Sequence, residues 1–414
     1  MKLTANLWRR FINDSLYRNS LYLLLNMGVN TVSGFIFMLI CTRLYPQEEV
    51  GYAIAMISAL GLALSFSNIG MNRTIARFFG TSDTKSRDMA TKISLIICTS
   101  LLVSIVMSFF FKPLGFKDTS LVTAGMFVVT VLASSVKALF DNAFVATRLS
   151  SGVLISSVLS NVTKLALPFV LVAAGFMGIF GAILASTVMS VVASIYVLRS
   201  KANYKLLTRP SHKSLQGKWR FAFGSYSSEL IGNLPISIVP LIVISQLGPK
   251  NSALWYAAMQ FTNFLLMVSS SVNQAMFAEM SNSKSSIYIF IKKASIVMYG
   301  LMIPLSICVS IFAADLLGLM GKEYVAAAPL LRLMAMFALI GVANYITGSI
   351  LAYYKKVLYL TFVNVCNAAV VIAYCLWIAS DLKGIAFGWM WGEVANVALF
   401  VGGAAYMLRK GQKL

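Results

Sequence analysis

Lys137, Asp141, Lys164, Glu229, Arg332 and Glu393 are charged residues inside long apolar stretches of the chain. A charge taken into hydrocarbon costs about 3 kcal/mol or more, so such groups face a protein interior or water and mark pathways for polar solutes. Lys164 lies twelve residues into the stretch 152–175, with no acid on its own helix. Its ammonium suits an anionic group in a low-dielectric cavity. The alternative is an interhelical bridge to Glu229 or Glu393. Those two acids, in the stretches 221–246 and 384–408, serve either that bridge or a coupling ion, H+ or Na+. Lys137 and Asp141 are four residues apart, the spacing of a self-contained helical ion pair; otherwise they offer their charges to the cavity. Arg332, a few residues into 327–352, either joins the cations or snorkels outward.

Two amides belong with these charges. Aligning Pro46 with Pro249 sets Asn30 against Asn233 and Asn26 against Glu229. Both stretches are irregular: Gly28, Ser33 and Gly34 in one, Gly232, Pro235 and Pro240 in the other. Such interruptions free backbone groups, which is tolerable only where protein or cavity water satisfies them. Matched broken helices point to a substrate site. The plainer reading is that Gly and Ser permit close packing and Pro kinks the helix. The candidate substrate contacts are therefore Lys164, Arg332, Lys137, Asn30 and Asn233, and the candidate ion-coupling groups are Glu229, Glu393 and Asp141. The remaining asparagines in apolar stretches (Asn68, Asn161, Asn263, Asn344, Asn364, Asn367) suit sugar hydroxyls or, more simply, helix-to-helix hydrogen bonds.

Spanning helices are needed to hold these groups at depth. The chain is 59% hydrophobic and 11% charged, with a mean hydropathy of +0.81, more apolar surface than a soluble protein of this length covers. The fold class is an all-α polytopic membrane protein. Twelve windows reach the length of a span: 19–42, 50–71, 90–111, 120–141, 152–175, 177–198, 221–246, 253–277, 294–318, 327–352, 357–379 and 384–408. The joint at 175–178 predicts a tight turn between the fifth and sixth. Residues 199–220 carry seven Lys or Arg, the one His of the chain and no acid, and cannot enter the bilayer. The expected organisation is an N-terminal six-helix lobe, 1–198, a basic cytoplasmic connecting loop, 199–220, and a C-terminal six-helix lobe, 221–414. Local echoes support a parallel repeat. Arg43-Leu-Tyr-Pro-Gln answers to Gln246-Leu-Gly-Pro-Lys, and Tyr196-Val-Leu-Arg199 to Tyr406-Met-Leu-Arg409. With the N-terminus inside, 25 basic residues fall on the cytoplasmic side and six on the other. By the positive-inside rule both termini are cytoplasmic. The first sixteen residues read as an amphipathic lead-in.

Several function classes drop out. A net charge of +21 would suit nucleic acid, but the basic residues sit at helix ends and not in a folded polar domain. His212 is the single histidine and lies in the basic stretch, so no histidine pair exists for a metal. No phosphate-cradling loop for a nucleotide is present. Cys41, Cys98, Cys308, Cys366 and Cys375 lack the spacing of a redox or metal motif and read as free thiols. No enzyme signature and no cofactor are expected, so energy comes from an ion gradient, the membrane potential or the substrate's own gradient.

Three segments carry a resemblance across the whole chain: Thr42-Arg-Leu-Tyr-Pro-Gln-Glu-Glu-Val-Gly-Tyr, Asn68-Ile-Gly-Met-Asn-Arg-Thr-Ile-Ala-Arg and Tyr324-Val-Ala-Ala-Ala-Pro-Leu-Leu-Arg-Leu-Met. With the twelve-span layout, the chain resembles the bacterial O-antigen and capsule repeat-unit flippases of the multidrug/oligosaccharidyl-lipid/polysaccharide exporter superfamily. The resemblance implies a MATE-like, V-shaped pair of lobes in the bacterial inner membrane. It also implies a cation-lined cavity through which undecaprenyl-pyrophosphate-linked oligosaccharide passes from the inner to the outer leaflet. Membrane lipids and a polysaccharide polymerase complex are the further partners it suggests. Two other readings stand beside it. A drug/cation antiporter of the same fold would need deep carboxylates, yet the first three windows hold none. A non-transporting scaffold of a polysaccharide assembly complex would keep its buried charges fully paired.

Overall fold

The computed structural model describes residues 15–79, 85–116, 118–202, 219–282, 287–354 and 356–409. The lead-in up to residue 14, and 203–218 of the basic stretch, lie outside them. In chain order the helices are α1 (Ser15–Leu44), α2 (Gln47–Ser67), α3 (Met71–Phe78), α4 (Lys85–Phe109), α5 (Leu121–Ala146), α6 (Ser150–Val170) and α7 (Phe176–Ala202). There follow α8 (Trp219–Leu247), α9 (Pro249–Asn282), α10 (Ile287–Ile311), α11 (Ala313–Gly318), α12 (Ala328–Tyr353), α13 (Val357–Trp377) and α14 (Leu382–Arg409). Among the described residues eleven helices are long and apolar enough to cross a membrane: this is a multi-pass membrane protein. The eighth predicted window lies on α9, which is not one of the eleven. Its Asn251, Gln260, Asn263 and Ser269-Ser270-Ser271 dilute the apolar run.

Local chemistry sets the helix ends. Pro46 in extended conformation precedes α2, whose first turn carries Glu48 and Glu49 where the helix dipole favours acids. Ser120 caps α5, its hydroxyl accepting from the Thr123 amide at 3.3 Å. Asp118 backs the cap, accepting from the Thr123 hydroxyl at 2.7 Å and the Ser120 amide at 2.8 Å. Those bonds, the Thr123 hydroxyl foremost, hold its carboxyl below the usual carboxylate range.

Two joints differ from the pattern expected of them. The turn expected at 175–178 forms at 171–175, through a 3-10 segment Val172–Ala174 and Gly175 at φ 56°. There the Glu49 carboxylate accepts from the Phe176 amide at 2.8 Å, capping α7, and a Cβ at Gly175 would run into it. The window 294–318 breaks at Phe312, where α10 ends and the short α11 begins.

The chain packs as two units, Met1–Glu49 with Ala59–Tyr226, and Val50–Ser58 with Ser227–Leu414. In the first, α6 lies between α1 and α7, and α5 packs on α4 and α7. Its core gathers Met71, Ile75, Met89, Ile96, Phe140, Phe144 and Val197. In the second, α12 is central, touching α9, α10 and α14, with Leu265, Met298, Met302, Ala335, Val342 and Ile346 as its core. Lipid tails are as apolar as leucine, so close packing and polar contacts hold such helices together. The Ser100 to Ser135 hydroxyl bond between α4 and α5, 2.9 Å, is one such contact. Leu102, Phe109, Val170 and Leu358 are exposed on the outside, as lipid-facing side chains are.

Candidate functional site

In the first unit, α1 and α6 bring polar residues together in two stripes. On α1, Asn26, Asn30, Gly34, Phe37 and Cys41 recur every three or four residues, hence on one face. On α6, Asn161, Lys164 and Pro168 do the same. Asn161 donates its side-chain amide to Asn30 Oδ1 at 2.8 Å, and Asn30 donates in turn to Asn26 Oδ1 at 3.1 Å. Toward the other end of the stripes, the Tyr45 hydroxyl donates to the Pro168 carbonyl at 2.9 Å.

Lys164 sits between these contacts. It is half-buried, and its Nζ lies 5.6 Å from the centre of the Phe37 ring, within the range of a cation–π attraction. The Cys41 thiol and the Lys137 ammonium are near enough to interact with it electrostatically. Among the described residues no carboxylate pairs with Lys164. Pro168, one turn on within the helix, has no N–H to give, so the Lys164 carbonyl lacks its helical donor. The ammonium, and a carbonyl without its i+4 amide donor at the same residue, make a polar break in α6.

Lys137 and Asp141 form the ion pair their spacing suggests, Nζ to Oδ2 at 2.6 Å, with side chains 25% and 24% exposed. Asp141 Oδ1 is buried with no hydrogen-bond partner among the described residues. Removing either partner alone leaves the other unsatisfied, which costs about 1–3 kcal/mol for a pair not wholly shielded from water. Lys137→Ala and Asp141→Ala should each lower the melting temperature in detergent more than the double substitution does. A double variant no milder than the singles would mean the two act separately.

In the second unit, Glu393 on α14 meets Asn344 on α12, whose side-chain amide donates to the Glu393 carboxylate and, at 3.4 Å, to its backbone carbonyl. No lysine or arginine pairs with Glu393 among the described residues. The side-chain oxygens of Asn344 and of Asn396, one turn on from Glu393, are buried and accept no hydrogen bond there. Nearby, the Ser349 hydroxyl donates to Asn273 Oδ1 at 2.6 Å.

Arg332, also on α12, is exposed and donates through Nε to the Ser310 carbonyl at 3.1 Å. Ser310 belongs to the last turn of α10, so the guanidinium caps a helix C-terminus, where orphan carbonyls and the dipole favour a cation. Arg332 thus has a local structural task apart from the Glu393 group. Asn233 is exposed on α8, two residues before Pro235. The Glu229 side chain lies outside the described residues.

The Glu49 clamp on α7 and the pairing of Glu393 with Asn344 were not anticipated. Gly175 in a tight joint is a signal for the first. For the second, an asparagine in an apolar stretch signals a partner but not which one.

A family model described as Polysaccharide biosynthesis protein matches residues 16–277. No curated protein sequence matches the chain. Among solved structures, an inward-facing multidrug resistance MATE family transporter of the MOP superfamily is similar at 15% identity and a TM-score of 0.70, covering 95% of this chain and 100% of the other. An outward-facing transporter of the same description has 15% identity and a TM-score of 0.60, covering 96% of each chain. A MOP superfamily transporter from Pyrococcus furiosus, described by the reverse polarity of its binding pocket, has 15% identity and a TM-score of 0.57, also over 96% of each. At such identities the likeness is one of fold, and the fold is MATE-like.

Proposed function

This chain belongs to the polysaccharide biosynthesis protein family, and from that premise we propose that it is a flippase for undecaprenyl-pyrophosphate-linked oligosaccharide. It moves the repeat unit from the cytoplasmic to the periplasmic leaflet of the bacterial inner membrane by alternating access, drawing on an H+ or Na+ gradient. The observation that carries this reading is Lys164: a half-buried ammonium within a spanning helix, with no carboxylate partner among the described residues. A cation at such depth is costly unless an anion answers it, and a pyrophosphate is a polyanion. A cationic drug would be repelled at the same place. The MATE-like fold supports the transport mode, since its relatives of known structure are described in inward- and outward-facing states. Glu393, lacking a basic partner among the described residues, is assigned to the coupling ion.

Deleting the gene is the direct test. Undecaprenyl-linked repeat units should accumulate on the cytoplasmic face, and surface glycan should be lost. Drug sensitivity without accumulation would mark an antiporter. Loss of long-chain glycan with repeat units still reaching the outer face would mark a scaffold.

A further inference from the structure

We infer that Asn26, Asn30 and Asn161, with the open space at Gly34, form a carbohydrate subsite one helical turn from Lys164, so that the sugar nearest the pyrophosphate is read while the phosphate is held. The inference rests on the flippase reading and deepens it. The amide chain has a direction: Asn161 donates to Asn30, and Asn30 to Asn26. A primary amide carries two N–H donors and two acceptor lone pairs, so Asn30 spends one donor and one lone pair on its neighbours. Its remaining donor and lone pair match a sugar hydroxyl, which gives and takes a hydrogen bond at once. Clamping α1 to α6 needs only the Asn161 to Asn30 bond; continuing the chain to Asn26 adds nothing to that clamp. Asn30 is exposed and Asn26 half-buried, whereas Asn161 is 5% exposed. The first two are therefore reachable and the third orients them.

Room for a ring is provided on the same face. Gly34 follows Asn30 by one turn, and a Cβ built there meets nothing within 4 Å. Phe37, one turn beyond Gly34 on that face, is 4% exposed and lies under Lys164, so recognition beside Gly34 rests on polar contact with the amides. The axial spacing agrees with the chemistry. Asn161 and Lys164 are separated by about 4.5 Å along α6, and Asn26 and Asn30 by about 6 Å along α1, from the helical rise per residue. That places a phosphate and the ring bonded to it side by side.

The test uses full-length protein in lipid nanodiscs and two ligands: the undecaprenyl-pyrophosphate-linked glycan extracted from the deletion strain, and bare undecaprenyl pyrophosphate. Asn30→Ala and Asn161→Ala should weaken binding of the glycan lipid about tenfold, the loss of one or two hydrogen bonds, and leave the bare lipid unchanged. Gly34→Leu, whose Cβ meets nothing within 4 Å and which favours helix, should do the same by filling the space. Lys164→Ala should weaken both ligands. Amide and Gly34 variants that weaken both ligands equally, or neither, overturn the subsite and leave the flippase reading on Lys164. Wild-type protein that binds neither ligand overturns both.

Discussion

Lys164→Ala is expected to abolish export of the lipid-linked glycan while the protein stays in the membrane. An ammonium about 4 Å from a phosphate oxygen, at an effective dielectric constant of about 20, gains about 4 kcal/mol of Coulomb energy. Desolvating both partners takes part of that back, leaving a loss in affinity on the order of a hundredfold. Lys137, the other cation in electrostatic reach of Lys164, is held by Asp141 at 2.6 Å and is a poor substitute. The fold should tolerate the change. With no acid paired to Lys164 among the described residues, its removal strands none of them. The contact over Phe37 is worth about 0.5–2 kcal/mol. Lys164→Arg keeps the charge and should restore part of the export, whereas Lys164→Met keeps the apolar stem and should not. Surface glycan scored against membrane-inserted protein decides it. Export at the wild-type level in Lys164→Ala would take this residue out of the substrate path.

The contrast between what could and could not be read beforehand has a physical basis. Helix positions were legible because bilayer thickness sets a minimum apolar run, and a run of that length is plain in sequence. The α9 helix covers the window 253–277, but its serines and asparagines thin the apolar run. The Lys137–Asp141 pair was legible because both partners share one helix, whose periodicity brings them together. Glu393 and Asn344 are 49 residues apart on different helices, and nothing in one sequence says which faces meet. The partner of Arg332 is a backbone carbonyl, a group every residue has, so no residue type could point to it. The joint after α6 was misplaced for a similar reason. Its Gly175 was visible, but the 3-10 turn before it and the Glu49 carboxylate that closes it depend on a segment over a hundred residues away.

Glu393→Gln should uncouple transport from the ion gradient without disturbing the fold. Glutamine has the same shape, and its side-chain oxygen can still accept from Asn344, so the contact between α12 and α14 is preserved. What it lacks is the negative charge. A carboxylate at this depth must be neutralised by a proton or a cation whenever the surroundings exclude water. The buried side-chain oxygens of Asn344, which contacts Glu393, and of Asn396, one turn on from it, take no hydrogen bond among the described residues; amide oxygens can accept from a protonated acid or ligate Na+. One charge moving through about 100 mV is worth about 2.3 kcal/mol, or roughly fiftyfold in the accumulation it can drive. Proteoliposomes loaded with the glycan lipid and energised in turn by a pH gradient, a Na+ gradient and a potential would expose that factor in the wild type and its loss in Glu393→Gln. Gradient-driven export of equal size in both would reduce Glu393 to a helix-packing acid and move the coupling to another group, Asp141 or Glu229.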